Sequence, residues 1–351
     1  MTIERTLAGD EGATAPGKGP IPTTPIQRTY DLHGCTLGIV SEDRALAAFL
    51  DPILAPLLCH PSAACDWTIS LVPVDTIGIP EGGVRLFEGA LPEGLPAVIT
   101  QHESRRSLTV GDHFAISLSL TTRMAELRYV NGRSEAMGGT AAFWMLGDIL
   151  AAQSQHLLHG AAVVDPRSDE VIALFAPSGT GKTTTALALA RSGLHLAADD
   201  ALVLSVRQNV PLIWGIPRRL NVSRKTASML SWLLPCLTEN WIDGEQAIDR
   251  DALAALVTLA RPEPRRVGRV IVLTPPNDHE HILTSMAKPD ALTRIAHDNF
   301  RIAPGGVEPD KAAAFAALST LIATTPVVTL SPGPELSTLA TRVFEASDRR
   351  E

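Results

Sequence analysis

From Tyr30 onward, apolar and polar residues alternate in short runs: "TISLV" at 68–72, "SLTV" at 107–110, "FAISLSL" at 114–120 and "MAELRYV" at 124–130. Period-two alternation predicts strands with one buried face. Gly111-Asp112-His113 separates the second and third runs and Asn131-Gly132 follows the fourth, and both are turn signals. Residues 28–137 therefore read as a β-rich N-terminal domain. Residues 1–27, rich in Gly, Pro and Thr with little apolar periodicity, cannot bury enough surface to offset ordering entropy and read as a flexible tail.

The period then changes. Phe143, Leu146, Leu150 and Leu157 fall near a helical repeat, with Asp148 and Gln155 on another face, so 140–157 reads as a linking helix. "AAVVD" and "VIALFA" read as two strands around the polar turn "PRSDE". An Ala- and Leu-rich helix is predicted from Lys182 to Ser192, capped by Gly193, followed by the strands "LHLAA" and "ALVLSV". Further on come a helix over 250–260, a buried strand "RVIVLTPP" ended by proline, the helix "DKAAAFAALSTLIA", the strand "PVVTL" and a last helix near "PELSTLATRVFEA". Strands alternating with helices make residues 138–351 an α/β core with a C-terminal α/β extension.

Between "VIALFA" and the first core helix, Ala176–Thr183 meets the phosphate-loop pattern GxxxxGK[ST], with alanine in place of the first glycine. Gly179 and Gly181 supply the conformational freedom that turns successive backbone N–H groups inward. Ser178, Thr180 and Thr184 complete the candidate nucleotide-binding stretch. Lys182 supplies a charge to the β and γ phosphates, Thr183 a hydroxyl to Mg²⁺, and the helix its positive dipole end.

Asp199 and Asp200 follow Lys182 by only seventeen and eighteen residues. A helix of about eleven residues at 1.5 Å each leads away from the phosphates, and a strand of about five or six at 3.3 Å leads back. Both carboxylates therefore return to the loop. One can hold Mg²⁺ while the other orients and deprotonates an attacking hydroxyl, a division suited to phosphoryl transfer. His159, at the open end of the predicted hairpin, is a candidate phosphate or acceptor contact.

Composition narrows the partners. The 351 residues suffice for two domains, and 45% hydrophobic with 19% charged residues is ordinary for a packed protein. A net charge of −8 argues against a broad nucleic-acid or anionic-membrane surface. No apolar stretch reaches a membrane span, and "MTIERTLAGDEG" lacks the features of a signal peptide, so a cytoplasmic location is expected. Four cysteines without CxxC spacing match no zinc pattern.

"HGAAVVD", "APSGTGKTT" and "LAADDALVL" together resemble the HPr kinase/phosphorylase superfamily, whose core is similar to that of phosphoenolpyruvate carboxykinase; the likeness covers residues 155–206. It implies a phosphate-loop core of mixed sheet and helices, and an ATP- and Mg²⁺-dependent kinase acting on a hydroxyl, usually serine, of a protein or peptide. Carried over by position, Lys182 and Thr183 become phosphate and Mg²⁺ residues, Asp199 the general base, Asp200 a metal-site carboxylate and His159 a phosphate contact. "WGIPRRLNVSRK" stands where the family carries Glu-Ile-Arg-Gly-Leu-Gly, so HPr as acceptor and a phosphorylase reaction lose support.

The β-rich domain ahead of this core looks like HPr-kinase-related proteins found beside ribosomal and lasso peptide pathways, which implies a precursor peptide as acceptor. Arg218 and Arg219, soon after the aspartates, are acceptor or phosphate candidates. A small-molecule kinase and an acceptor-free ATPase or nucleotide-binding module remain open, as does a homo-oligomer.

Overall fold

In the computed structural model, described for residues 27–348 apart from 61–63, 80–81, 92–93, 133–136, 138 and 301–310, the alternating runs join one mixed sheet. The tail expected at 1–27 lies, Gln27 excepted, outside the described residues. The sheet contains β1 (Arg28–Asp31), β2 (Thr36–Val40), β3 (Leu58–Cys59), β4 (Trp67–Pro73), β5 (Val84–Ala90), β6 (Pro96–His102), β7 (Arg105–Val110), β8 (Phe114–Ser119) and β9 (Met124–Tyr129). Their spatial order is β3-β1-β2-β4-β9-β8-β7-β6-β5, with the short helix α1 (Asp51–Leu54) between β2 and β3 in the chain. Phe114, Ile116 and Leu118 on β8 and Ala125, Leu127 and Tyr129 on β9 are buried, and the residues between them are at least partly exposed. One face is therefore core, as the alternation predicts.

The helix α2 (Thr140–Ala151) packs on that face. Ala141, Ala142, Trp144, Met145, Leu146, Ile149 and Leu150 are all buried with the strand residues, and Val203 and Trp214 from the second sheet join the same cluster. A helix covered on both sides is apolar nearly all round.

The helix expected to reach 157 stops at Ala151, and Gln155–Leu158 is a strand, β10. Leu157 thus belongs to the sheet. Gln155 lies on no helix face: its side-chain N–H donates to Leu32 O at 2.9 Å and its side-chain oxygen accepts from Trp214 Nε1 at 3.0 Å. That pair of bonds ties the two sheets together and satisfies a buried amide.

The second sheet holds β10, β11 (Ala161–Asp165), β12 (Glu170–Phe175), β13 (His195–Ala198), β14 (Leu202–Arg207), β15 (Val210–Gly215) and β18 (Arg265–Leu273), with β19 (Ile282–Ser285) and β20 (Val327–Ser331) joined beside β18. Its order is β10-β14-β15-β18-β12-β11-β13, and β18 runs parallel to both β12 and β20. Residues 161–164 of β11, 171–175 of β12 and 270–273 of β18 are unbroken apolar runs because both faces are covered. Val163, Ile172, Leu174 and Ile271 pack with α3 (Lys182–Arg191) and α8 (Leu339–Asp348), whereas Val164, Ala173, Phe175 and Val272 pack with α6 (Lys288–Asn299) and α7 (Lys311–Thr324). The fold is mixed α/β.

A two-stranded ribbon of β16 (Leu220–Ser223) and β17 (Glu245–Ile248), with α4 (Arg224–Met229) and α5 (Arg250–Ala254), packs beside α3. The helix expected over 250–260 ends at Ala254. β13 lies at a sheet edge and its free backbone groups take the chain beyond α5 instead: Leu196 N–H donates to Thr258 O and Ala260 N–H to Leu196 O, both at 2.8 Å. Edge satisfaction outweighed helix propensity. Among the described residues no helix is long and apolar enough to cross a membrane.

One buried charge pair holds α2 to its sheet. Arg106, in line with Leu108 and Val110 on the inner face of β7, is 3% exposed and pairs with Asp148 of α2, which is 0% exposed. The guanidinium also lies 5.4 Å from the ring centre of Trp144. Removing one partner leaves a buried charge uncompensated, so Asp148→Leu should cost about 3–5 kcal/mol in urea unfolding. The double variant Arg106→Leu/Asp148→Leu should recover most of that loss. An unfolding midpoint lower in the double than in the single variant would contradict this account.

Candidate functional site

The candidate phosphate loop joins β12 to α3 where the sheet faces a cavity of about 280 Å³. Gly179 and Gly181 have φ of +78° and +106°, and beyond the adjacent residues of the chain no atom lies within 4 Å of where a Cβ would stand on either. The left-handed backbone is what requires glycine here. Lys182, 7% exposed, donates from Nζ to Ala176 O at 2.7 Å and to Pro177 O at 3.5 Å. Burial pulls its ammonium below the ordinary lysine range, against the opposing pull of Asp200, Asp199 and Asp298.

The return predicted from length is present: α3 ends at Arg191, Gly193 turns the chain at φ +105°, and β13 brings Asp199 back against Thr183. The Thr183 hydroxyl donates to Asp199 Oδ2 at 2.9 Å, with Oδ1 at 3.1 Å. Gly215 makes the approach of β13 to β15 feasible, because a Cβ on it would lie 2.3 Å from Ala198 Cβ and 2.6 Å from Ala197 O.

The two carboxylates meet different surroundings. Burial pushes the Asp199 carboxyl up to about 6, more than the Thr183 bond and the charges of Lys182 and Arg218 offset. Asp200 takes a left-handed backbone, φ +77°, and its oxygens accept from His159 Nδ1 at 2.7 Å and Arg218 at 2.5 Å. Burial alone would raise Asp200, but these two partners hold it below the usual carboxylate range. Since a carboxylate only accepts, Nδ1 of His159 carries the hydrogen, which turns the ring's other nitrogen into the acceptor when the ring is neutral.

Ser178, Gly179, Thr180, Gly181, Lys182, Thr183, Thr184, His159, Asp199, Asp200, Arg218 and Arg219 all line this one cavity. Arg218 also lies 5.2 Å from the ring centre of Phe143 on α2, so the helix under the first sheet helps position it. Arg219 is more distant in function: it is 63% exposed and pairs with Asp249 at 2.7 Å. Lys225 also lines the cavity, whereas Arg265 bonds Asp169, Arg266 pairs with Glu170 and the buried Arg269 donates to Val343 O, none of these three at the cavity.

Sequence reasoning missed Thr226, Ser223 and Asn299. The Thr184 and Thr226 hydroxyls share a buried hydrogen bond at 2.9 Å, which locks α3 to α4. Ser223 caps α4 by accepting from Thr226 N at 3.2 Å. Asn299, at the end of α6, accepts the His159 backbone N–H at 2.6 Å. The cap "SRKT" was legible as a helix start, whereas Asn299 is 140 residues from its partner and has no local signature.

No protein-family model matches this chain, and no curated protein matches it. The chemistry rests on the cavity itself.

A raised carboxyl makes a stability statement. The native state keeps the Asp199 proton between about pH 4 and 6, and the stability that proton contributes is lost as pH rises through 6. Asp199→Asn, which retains an acceptor for Thr183, should therefore melt higher than wild type at about pH 8, by at most about 1–3 kcal/mol, and equally near pH 4. Thermal melts at the two pH values check this; an Asn variant less stable at the higher pH would refute the burial assignment.

Proposed function

We propose that this protein is an ATP- and Mg²⁺-dependent kinase with an HPr kinase-like phosphate-loop core, which transfers the γ-phosphoryl group to a hydroxyl, serine by preference, of a peptide or protein. The observation that carries the reading is the pairing of two carboxylates with separate sets of partners at one loop: Asp199 with Thr183, and Asp200 with His159 and Arg218. A site that only binds nucleotide needs the first pair. The second has its use in a reaction.

The division of roles follows the hydrogen bonds. Asp199 touches the hydroxyl that serves Mg²⁺ in phosphate loops, so it takes the metal side, the reverse of the assignment implied by the resemblance. Thr183 and Asp199 offer the hard oxygen donors that suit Mg²⁺, which ordinarily keeps waters and phosphate oxygens as its remaining ligands; when bound it neutralises charge on the phosphates. Among the described residues there is no cluster of three His, Cys, Asp or Glu, which agrees with an ion shared with its substrate rather than caged by protein.

Asp200 stays ionised and orients His159 through Nδ1, so Nε2 is the acceptor for the proton of the attacking hydroxyl. The new bond joins that oxygen to the γ phosphorus as the bond to the ADP oxygen breaks. Lys182 at the loop and Arg218 beside Asp200 carry the positive charge that balances the transferring group.

The test is transfer from γ-labelled ATP to serine-containing peptides, including those encoded beside the gene, and to free serine. Wild type should label a peptide, Lys182→Ala and Asp199→Asn should abolish labelling, and His159→Ala should lower kcat by about 10²-fold or more. Undiminished transfer in Lys182→Ala and Asp199→Asn would remove the site assignment. Labelling of free serine alone would make the enzyme a small-molecule kinase, and phosphate release with no labelled acceptor an ATPase.

A further inference from the structure

A second chamber, of about 430 Å³, opens on the other side of His159 and Thr180, the two residues that line both spaces. We propose that it receives the acceptor segment, and that this segment is a peptide whose reactive serine or threonine has an apolar neighbour. The inference rests on the kinase reading.

Direction comes from Lys182. Its ammonium, the group that meets the β and γ phosphates in such loops, is drawn back to the carbonyls of Ala176 and Pro177 at the start of the loop. Ala176 and Pro177 line the second chamber, whereas Thr184, Thr226 and Met229, further along α3 and on α4, line only the first. The γ end of a bound triphosphate accordingly points toward the second chamber and the nucleoside end away from it. In-line displacement requires the attacking oxygen on the side of the γ phosphorus opposite the ADP oxygen. The second chamber is on that side, with His159 at its mouth.

Chemistry of the walls indicates the ligand. Phe175, Val272, Leu273 and Ile295 make the chamber largely apolar, while Arg294, His297 and Asp298 add polar groups at its wall, Asp298 with His297 Nδ1 at 3.3 Å. A free serine would leave most of such a space unfilled, and a nucleobase would put the phosphates in the wrong direction. A hydroxyl with an adjoining apolar side chain matches both size and lining. The predominantly apolar wall makes a charged neighbour, aspartate included, unfavourable. The wall is also coupled to the proton acceptor: Asn299 accepts from His159 N at 2.6 Å and donates to Ile295 O at 2.9 Å, so the end of α6 and the His159 backbone are fixed together.

The test uses the full chain and an array of eight-residue peptides, each with one central serine and varied flanks, with free serine as a control. Wild type should prefer leucine, valine or phenylalanine beside the serine over aspartate by at least about tenfold in kcat/KM. Thr293→Trp, an exposed position on α6 that lines the chamber, should raise peptide KM by about tenfold or more while the Kd of a non-hydrolysable ATP analogue stays within about twofold. Asp298→Lys should shift the preference toward acidic flanks, a gain that misfolding cannot produce. The proposal is overturned if Thr293→Trp weakens the ATP analogue instead of the peptide, if flank preference ignores Asp298→Lys, or if free serine alone is labelled. Absence of transfer to every acceptor would instead bring down the kinase reading, and this subsite with it.

Discussion

The arrangement of the whole cavity depends on one contact, the Thr183 hydroxyl held between the two oxygens of Asp199. It can form only if α3 leads away and β13 leads back over matched lengths, and only if β13 can press close enough to β15. The absence of a side chain at Gly215 permits that approach, and the chain beyond α5 closes the outer edge of β13. Asp200 follows directly and lines the same cavity. Its left-handed backbone aims it at His159 and Arg218.

Electrostatics then separates two neighbours of identical chemistry. Asp199, short of charged partners at its own oxygens, is pushed up by burial, while Asp200 is held down by a ring nitrogen and a guanidinium. Adjacent carboxylates in one cavity would ordinarily repel; separate partners are what let them coexist with separate roles. The cost falls on stability, as is usual for sites built around desolvated charge.

The first sheet contributes to this site through α2. That helix is buried between the two sheets, anchored by the Arg106–Asp148 pair, and offers the ring of Phe143 to Arg218. Gln155 bridges the same junction from the other side. The N-terminal sheet is thus a support for a cationic side chain of the cavity, one step removed from the two aspartates.

Much of this was legible in the residues alone. The alternation at 114–120 and 124–130, the doubly buried runs of β11, β12 and β18, and the spacing from Lys182 to Asp199 are local or periodic properties, and local geometry converts them directly into elements and distances. The errors occurred where the periodic signal was short and a distant partner decided: Leu157 fits a helical repeat but pairs in a sheet, and 255–260 has helical composition but satisfies the edge of β13. Which aspartate meets which partner, the closeness of Asn299 to His159, and the second chamber beyond them depend on segments brought together from across the chain. The sequence by itself determined that the Gly-rich loop and two carboxylates would share one end of a sheet, because a helix and a return strand of matched length bring the chain back to where it left. Only the tertiary structure decided how those carboxylates divide their partners, because that choice is made by long-range hydrogen bonds and burial, which have no period to read.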